Sequence, residues 1–327
     1  MGMRQLLRRL FFYLLAFWAS LTLNFFIPRL APGNPAGAML ARFQGRLPPE
    51  AVNALLLQFG VTNEPLWMQY IHYLNSLLHG DLGLSITYYP TPVSAMLAQE
   101  LPWTIALVGT SVLISFAVGT LIGIIIAWKR GSWLDTILPP IMNFLAAIPY
   151  FWLALLTLYI LAYTMNWFPI SGGYSLGMLP EFSFDFISDA ISHGILPALT
   201  IVVSSVSGWM LGMRNAMITT LSEDYVLMAQ AKGLTPRRVM VAYAARNAIL
   251  PNLTGFALSL GSVVGGALLT EMVFSYPGIG FALLQAVHNS DYPLLQAIFL
   301  LITLTVLVAN LLVDLIYLVL DPRTRQG

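Results

Sequence analysis

Few side chains in this sequence could carry out catalysis or hold a metal ion. The four histidines are His72, His79, His193 and His288. His72 and His79 share a predicted helix but lie seven residues apart, whereas a zinc protease needs the closer His-Glu-x-x-His spacing. The sequence has no cysteine, which excludes thiolate metal sites, iron–sulfur clusters and a cysteine nucleophile. We therefore expect neither a catalytic nor a metal site, and we interpret the histidines as surface or interfacial residues.

The sequence also lacks the residues that ATP hydrolysis by a P-loop requires. A P-loop has the pattern Gly-x-x-x-x-Gly-Lys-Ser/Thr, in which backbone amides and the lysine hold the phosphates. The two lysines, Lys129 and Lys232, follow Trp128 and Ala231 instead of glycine. This pattern excludes a P-loop ATPase, and we expect no cofactor in this chain.

Two acidic residues keep ion-coupled transport as an alternative. Glu271 is expected near the outer end of one apolar segment, and Asp314 near the cytoplasmic end of another. A proton- or ion-coupled carrier usually places ionisable groups near the middle of the bilayer, because each is costly there. The expected positions therefore weigh against a self-sufficient secondary carrier. The third alternative, an intramembrane enzyme, is disfavoured because the sequence shows neither a plausible nucleophile nor a metal-binding cluster.

The elements that must position these residues are membrane spans. Of the 327 residues, 58% are hydrophobic and 9% charged, whereas soluble domains have about 25% charged residues. We predict an all-α membrane protein, because each of six apolar stretches has the roughly 17–25 residues needed to cross a bilayer as a helix. The six predicted spans are Leu10–Ile27, Thr104–Trp128, Ile137–Tyr163, Ile195–Met213, Asn252–Phe274 and Leu294–Leu320. The first is expected to remain uncleaved, since it is longer than a signal-peptide core.

The distribution of basic residues predicts the orientation of these spans. Cytoplasmic loops of membrane proteins are enriched in lysine and arginine. On the predicted spans, the outer side holds only Arg29, Arg42 and Arg46, and the other twelve basic residues fall on the opposite side. Both termini and the 214–251 loop are therefore expected to be cytoplasmic. The net charge of +1 and the absence of a basic stripe argue against nucleic-acid binding.

The segments outside and between the spans carry further expectations. Residues 29–103 should form a small external subdomain with two short helices, Pro49–Phe59 and Glu64–His79, the second capped by Asn63. Within the spans, Gly119 with Gly123 and Gly261 with Gly265 form Gly-x-x-x-Gly pairs, which let helix backbones approach closely. We interpret both pairs mainly as packing contacts.

The cytoplasmic loop 214–251 is the most organised polar stretch. Ser222 could cap a helix that ends at Gly233, where glycine favours a left-handed stop. Thr235 and Pro236 would start a second helix, which Leu250-Pro251 would end. A helix of about ten residues is unstable alone. It must therefore lie in a groove of a partner or pack flat on its own helices, and the loop sequence by itself does not decide between these.

Motifs along nearly the whole chain resemble those of one family. The loop segments Ala229–Leu234, Arg237–Val239, Arg246–Ala248 and Leu250-Pro251 resemble the EAA loop of ABC importer permeases. Their spacing is similar to that of the dipeptide, oligopeptide and nickel subfamily of binding-protein-dependent importers. In family order, further similar motifs are Phe26–Pro35, Gly80–Ser85, Glu271–Phe274, Pro277–Gly280, Asp291–Pro293, Asn310–Asp314 and Asp321–Arg323.

The resemblance implies a fold, a set of partners and a coupling site. The fold would be the type I ABC importer permease fold, in which one chain, residues 1–327, forms half of a translocation pore in the cell membrane. The partners would be a second homologous permease, two ATP-binding-cassette subunits that bind ATP and Mg²⁺, an external solute-binding protein and the lipid bilayer. The residues expected to couple to the ATPases are Glu223, Asp224, Tyr225, Leu227, Met228, Ala229, Ala231, Lys232, Gly233, Arg237 and Arg238.

One position departs from the general pattern, and the substrate stays open. Leu227, Met228 and Ala229 stand where the general EAA pattern has Glu-Ala-Ala. The peptide subfamily often lacks that glutamate, so the departure fits the subfamily but leaves the contact chemistry at Leu227 open. The subfamily handles peptides, nickel chelates and, in some members, oligosaccharides. We expect di- or oligopeptides, with oligosaccharides as the alternative.

Overall fold

A computed structural model describes residues 3–30, 64–261, 263–265 and 267–320. Within these ranges every regular element is a helix. In chain order the helices are α1 (Met3–Leu30), α2 (Leu66–Leu78), α3 (Val93–Trp128), α4 (Trp133–Ala147), α5 (Tyr150–Thr157) with its π-helical continuation Leu158–Thr164, α6 (Phe184–Leu221), α7 (Asp224–Ala231), α8 (Pro236–Arg238) with its π-helical continuation Val239–Ala245, α9 (Arg246–Gly261), α10 (Leu268–Val273), α11 (Ile279–His288) and α12 (Tyr292–Leu320).

Four described helices are long and apolar enough to cross a membrane, or five if a bent pair counts as one span. The four are Phe11–Leu30, Val93–Trp128, Phe184–Leu221 and Tyr292–Leu311. The bent pair joins α4 to α5 and its continuation, with an angle of 92° between them. These segments coincide with five of the six predicted spans, so the all-α multi-pass architecture is confirmed.

The remaining predicted span, Asn252–Phe274, is not one continuous helix. It corresponds to the end of α9 and to the short helix α10, with turns at 263–265 between them. The stretch has glycine at three of six positions from 261 to 266, and glycine is unfavourable in a helix interior. Gly261 ends α9 and Gly265 lies in the turn. This second glycine pair therefore does not form the helix-packing face that its spacing predicted.

The chain divides into two compact units, Met1–Thr104 with Pro277–Gly327 and Ile105–Tyr276. In the first unit α12 packs against α1 and α11. Helix α2 also packs on α1, where Tyr70 Oη lies 2.7 Å from Thr22 Oγ1. This helix begins at Leu66 with Pro65 at its N-cap position, so it starts later than predicted. The predicted cap Asn63 and the predicted helix Pro49–Phe59 lie outside the described residues.

A buried carboxylate connects two loops of the first unit. Asp291 is fully buried just before α12 and accepts hydrogen bonds from Ser85 Oγ at 2.6 Å and from Thr87 N–H at 2.8 Å. It also accepts a bond from Leu294 N–H at 3.1 Å and thereby caps α12. Burial, with Glu100 and Asp291 nearby, raises the pKa of Tyr88 above its usual range. The Gly80–Ser85 and Asp291–Pro293 motifs, which are distant in sequence, thus meet at the Asp291 side chain.

Close helix packing in the second unit depends on glycines of α3. The helix α6 is the centre of this unit and packs against α4, α5 and α9. A Cβ at Gly119 would lie 2.6 Å from Trp209 Cβ, and one at Gly123 would lie 2.5 Å from the Met210 carbonyl oxygen. The first glycine pair therefore packs as its spacing predicted. Asn252 of α9 joins the same junction and donates to the Trp209 carbonyl at 2.9 Å.

Candidate ATPase-coupling surface

Helix α7 is a separate two-turn element within the cytoplasmic loop predicted by the sequence. Gly233 has φ +72°, the left-handed conformation that was predicted for the stop after this helix. The start differs from the prediction, since Glu223 is the N-cap residue and Ser222 does not cap α7. The reason is that α6 extends to Leu221, so Ser222 ends that helix and its Oγ donates to the Thr219 carbonyl.

One face of α7 is anchored on the chain's own helices. Val226 and Ala229 are buried and form a small core with Val239 of the following π-helical segment. Trp128, at the end of α3, and Tyr243 pack against this core. The rest of the chain therefore fixes the helix in orientation, which a two-turn helix could not achieve alone.

The opposite face of α7 is apolar but exposed. The side chain of Leu227 is 50% exposed and that of Met228 is 60% exposed, and Ala231 is exposed one turn further on. These three residues share a helical face by their spacing. The sequence left two possibilities open for this helix, and the structure combines features of both. Val226 and Ala229 pack on the chain itself, and the Leu227, Met228 and Ala231 face remains uncovered.

Charged residues stand at both ends of α7 and on the helix that follows it. Asp224 lies in the first turn of α7 and Lys232 follows its last residue, the signs that a helix dipole favours at each end. Arg237 and Arg238 are exposed on α8. Ten of the eleven predicted coupling residues are thus exposed, and Ala229 is the exception because it belongs to the buried anchor.

The second helix of the loop continues further than predicted. It runs from Pro236 through the π-helical segment and α9 to Gly261, so that Leu250-Pro251 does not end it. A proline inside a membrane helix is tolerated where neighbouring groups satisfy the backbone carbonyl that it frees. The second helix of the loop therefore continues without a break into α9. A bond of 3.0 Å from Asn247 Nδ2 to Tyr225 Oη links this long helix to α7.

An ion pair that the sequence analysis missed supports the base of the loop. Arg214 Nε of α6 donates to Asp135 Oδ1 of α4 at 2.6 Å, and both side chains are largely buried. The Gly131 amide donates to the second carboxylate oxygen at 3.0 Å, and Ser132 caps α4. The pair connects α4 to the helix that precedes α7. The Ser132-x-x-Asp135 pattern resembles a helix start and is the available signal in the sequence. For Arg214 the sequence indicates only that it belongs to the basic residues of the predicted cytoplasmic side.

The surface is suited to docking rather than to catalysis. Within the described ranges, no group of three His, Asp or Glu side chains is placed to hold a metal ion. An exposed apolar face with charged residues around it has the composition of an interface, in which a polar rim surrounds an apolar centre. The firm anchoring of α7 would allow a partner that moves this helix to move the helices beneath it as well.

Comparisons with known proteins identify the family. Residues 119–326 match the family model described as the binding-protein-dependent transport system inner membrane component. The chain is 33% identical to the dipeptide transport system permease protein DppB of Escherichia coli strain K12, over 98% of each chain. It is 34% identical to the di/tripeptide transport system permease protein DppB of Pseudomonas aeruginosa, over 98% of each. It is also 32% identical to the oligopeptide transport system permease protein AppB of Bacillus subtilis, over 92% of each.

These matches confirm the predicted resemblance to ABC importer permeases. They also argue against a self-sufficient secondary carrier, because the matched family works together with a binding protein. The family model covers the coupling loop, and the relatives align with nearly all of the chain. The chain belongs to the family of binding-protein-dependent transport system inner membrane components.

Proposed function

We propose that this chain forms half of the translocation pore of an ATP-driven importer of di- and oligopeptides. The proposal is supported by the relatives named above, whose names specify dipeptides, di- and tripeptides or oligopeptides. Their alignment covers 92–98% of each chain, so the similarity extends over nearly the full length of the sequences compared. The same names favour peptides over the alternative of oligosaccharides.

The coupling step takes place at α7. This helix inserts its exposed face of Leu227, Met228 and Ala231 into a cleft of an ATPase subunit, in the helix-in-groove mode. The observation that carries this assignment is the division of α7 into a buried anchor and an uncovered apolar face. ATP binding brings the two ATPases together, and α7 transmits that movement to α6 and to the long helix from Pro236 to Gly261. Net transport requires that ATP bind the two conformations of the complex with different affinities.

The other components of the importer supply the functions that this chain lacks. Two ATPase subunits bind ATP and Mg²⁺, a second homologous permease completes the pore, and a solute-binding protein delivers the peptide from outside. This chain supplies no ATPase site of its own, and both of its termini lie in the cytoplasm.

The assembly is tested by purifying the tagged chain from its native host in mild detergent. We expect a second permease and P-loop ATPases at near-equal stoichiometry, together with a binding protein that binds di- and tripeptides. Isolation of the chain alone, with uptake that depends on an ion gradient and not on ATP, would contradict the proposal. A co-purified binding protein that binds oligosaccharides and no peptides would contradict the substrate.

The coupling surface is tested by placing a charge on it. Met228→Asp should lower uptake and transport-stimulated ATP hydrolysis by about tenfold or more, because an unpaired buried carboxylate costs several kcal/mol and roughly 1.4 kcal/mol is already tenfold. Gln230→Asp is the matched control, since Gln230 is exposed on the same helix but beside the apolar face. Normal coupling in Met228→Asp would show that this face does not contact the ATPase.

A further inference from the structure

A cavity lies at the break between helices α4 and α5, inside the second compact unit. Its volume is about 330 Å³, at the lower end of the roughly 300–1,000 Å³ of ligand pockets. The wall is formed by the end of α4, the start of α5, one turn of α6 and one residue of α10. The lining residues are Ala146, Ala147, Ile148, Pro149, Tyr150, Ile201, Ser204, Ser205 and Thr270.

The helix break lies in the wall of this cavity. Ile148 has an extended conformation, and the chain bends by 92° between the two helices. The last carbonyls of a helix and the first amides of the next have no partner within their own helix. At this break Pro149 has no amide hydrogen to offer to α4. The residues on both sides of the break, Ala146 to Tyr150, line the cavity.

Thr270 adds a hydroxyl group that has no partner. Its side chain is fully buried, and Thr270 Oγ1 has no hydrogen bond among the described residues. A buried polar group without a partner costs about 1–3 kcal/mol. Most threonines in the helices of this chain avoid that cost by bonding to a carbonyl one turn earlier, as Thr200 does at 2.8 Å. A buried free hydroxyl in a cavity wall is therefore expected where a ligand supplies the missing partner.

The chemistry of the wall selects a neutral polar ligand. None of the nine lining residues is charged, so the cavity offers nothing to balance an ionised terminus. Ser204 Oγ donates to the Thr200 carbonyl at 2.7 Å, and its oxygen can still accept a bond. The hydroxyls of Thr270 and Ser204 can together donate and accept hydrogen bonds, which matches a group that does both, and an amide is such a group.

We propose that this cavity is a contact site for a backbone amide group of the transported peptide, with the Thr270 hydroxyl as one of its hydrogen-bond partners. The proposal rests on the proposed function, because it assigns a role to the cavity within peptide transport. The site binds the peptide backbone and not a particular side chain. It thereby suits a pore that accepts peptides of different sequence.

The first test removes the hydroxyl of Thr270. In the complete complex in proteoliposomes, with trialanine as the probe, Thr270→Val should lower the maximal uptake rate about two- to twelvefold, the range expected for one hydrogen bond. The KM for the loaded binding protein should stay unchanged, and Thr270→Ser should restore uptake. Thr136→Val is the control, since Thr136 is exposed at the other end of α4.

The thermal stability of the variants separates a ligand role from a structural one. Valine is similar in shape to threonine, and it removes an unsatisfied buried group, so Thr270→Val should be as stable as the wild type or more stable. Wild-type uptake by Thr270→Val would overturn the inference. A wild-type complex that binds and transports no peptide would instead overturn the proposed function, so the two failures can be told apart.

The second test needs no change at Thr270. Because the chain has no cysteine, Ala147→Cys introduces a single thiol into the exposed cavity wall. Trialanine supplied during ATP-driven turnover should slow labelling of this thiol by a small methanethiosulfonate reagent several-fold. Labelling of Thr136→Cys should be unaffected. Equal labelling of Ala147→Cys with and without trialanine would also overturn the inference.

Discussion

At the scale of single residues, Gly233 determines where α7, the proposed coupling helix, ends. Its φ of +72° is a conformation that costs L-residues roughly 1–2 kcal/mol, and more for a β-branched side chain. No other atom lies within 4 Å of the position that a Cβ would occupy, so the cost of substitution arises from the backbone alone. Strain at this position shifts Lys232 and the end of α7 relative to the buried anchor of Val226 and Ala229.

Gly233→Val should therefore uncouple ATP hydrolysis from transport. We expect the complex to assemble and hydrolyse ATP while peptide uptake per ATP hydrolysed falls severalfold, measured in proteoliposomes. Gly177→Val is the matched control, because Gly177 has φ +89° and equally open surroundings in a different turn, in the loop before α6. Normal transport by Gly233→Val would contradict the role of this loop, and equal loss in both variants would indicate a general effect of strain.

At the scale of helices, two glycines of α3 should respond to substitution by alanine in opposite ways. Gly119, a member of the packing pair, should lose stability, and Gly109, which lies outside the pair, should gain it. Gly119→Ala places a Cβ 2.6 Å from Trp209 Cβ and 2.7 Å from the Val206 carbonyl oxygen, so α3 and α6 must move apart. Such overpacking costs about 1–3 kcal/mol. Gly109→Ala, in the same helix, meets no atom within 4 Å and should stabilise the fold by about 0.4–1 kcal/mol. Thermal unfolding in detergent measures both, and equal stability of the two variants would contradict this packing.

The sequence predicts helix positions well where the signal is local. The apolar spans, the glycine stop at 233 and the packing of Gly119 and Gly123 each depend on residues close together in the chain. The 92° bend between α4 and α5 was missed, although Pro149 disfavours the helical conformation at Ile148. The predicted helix end at Pro251 was wrong, because there the helix continues through the proline. A proline alone therefore does not decide whether a helix continues.

The coupling surface could be predicted only in part, because exposure depends on tertiary packing. Charge, spacing and family resemblance point to the residues from Glu223 to Arg238 as the coupling surface, and this assignment stays a prediction. They did not distinguish Ala229, which is buried against Val239, from Met228, which is exposed beside it. They also missed the Asp135–Arg214 pair, since its members are 79 residues apart and meet only when α4 packs on α6. Contacts of this length are set by the fold and leave no periodic pattern in the sequence.

At the scale of the whole molecule, the uneven distribution of basic residues makes the orientation testable. We expect α7 to be cytoplasmic and the loop before α6 to be external, because lysine and arginine accumulate on the cytoplasmic side. The cysteine-free chain allows single exposed thiols at Gln230→Cys in α7 and Leu176→Cys in that loop. A membrane-impermeant maleimide should label only Leu176→Cys in spheroplasts and only Gln230→Cys in inside-out vesicles. The reverse pattern would place α7 outside the cell, away from any source of ATP, and would contradict both the orientation and the coupling role of its exposed face.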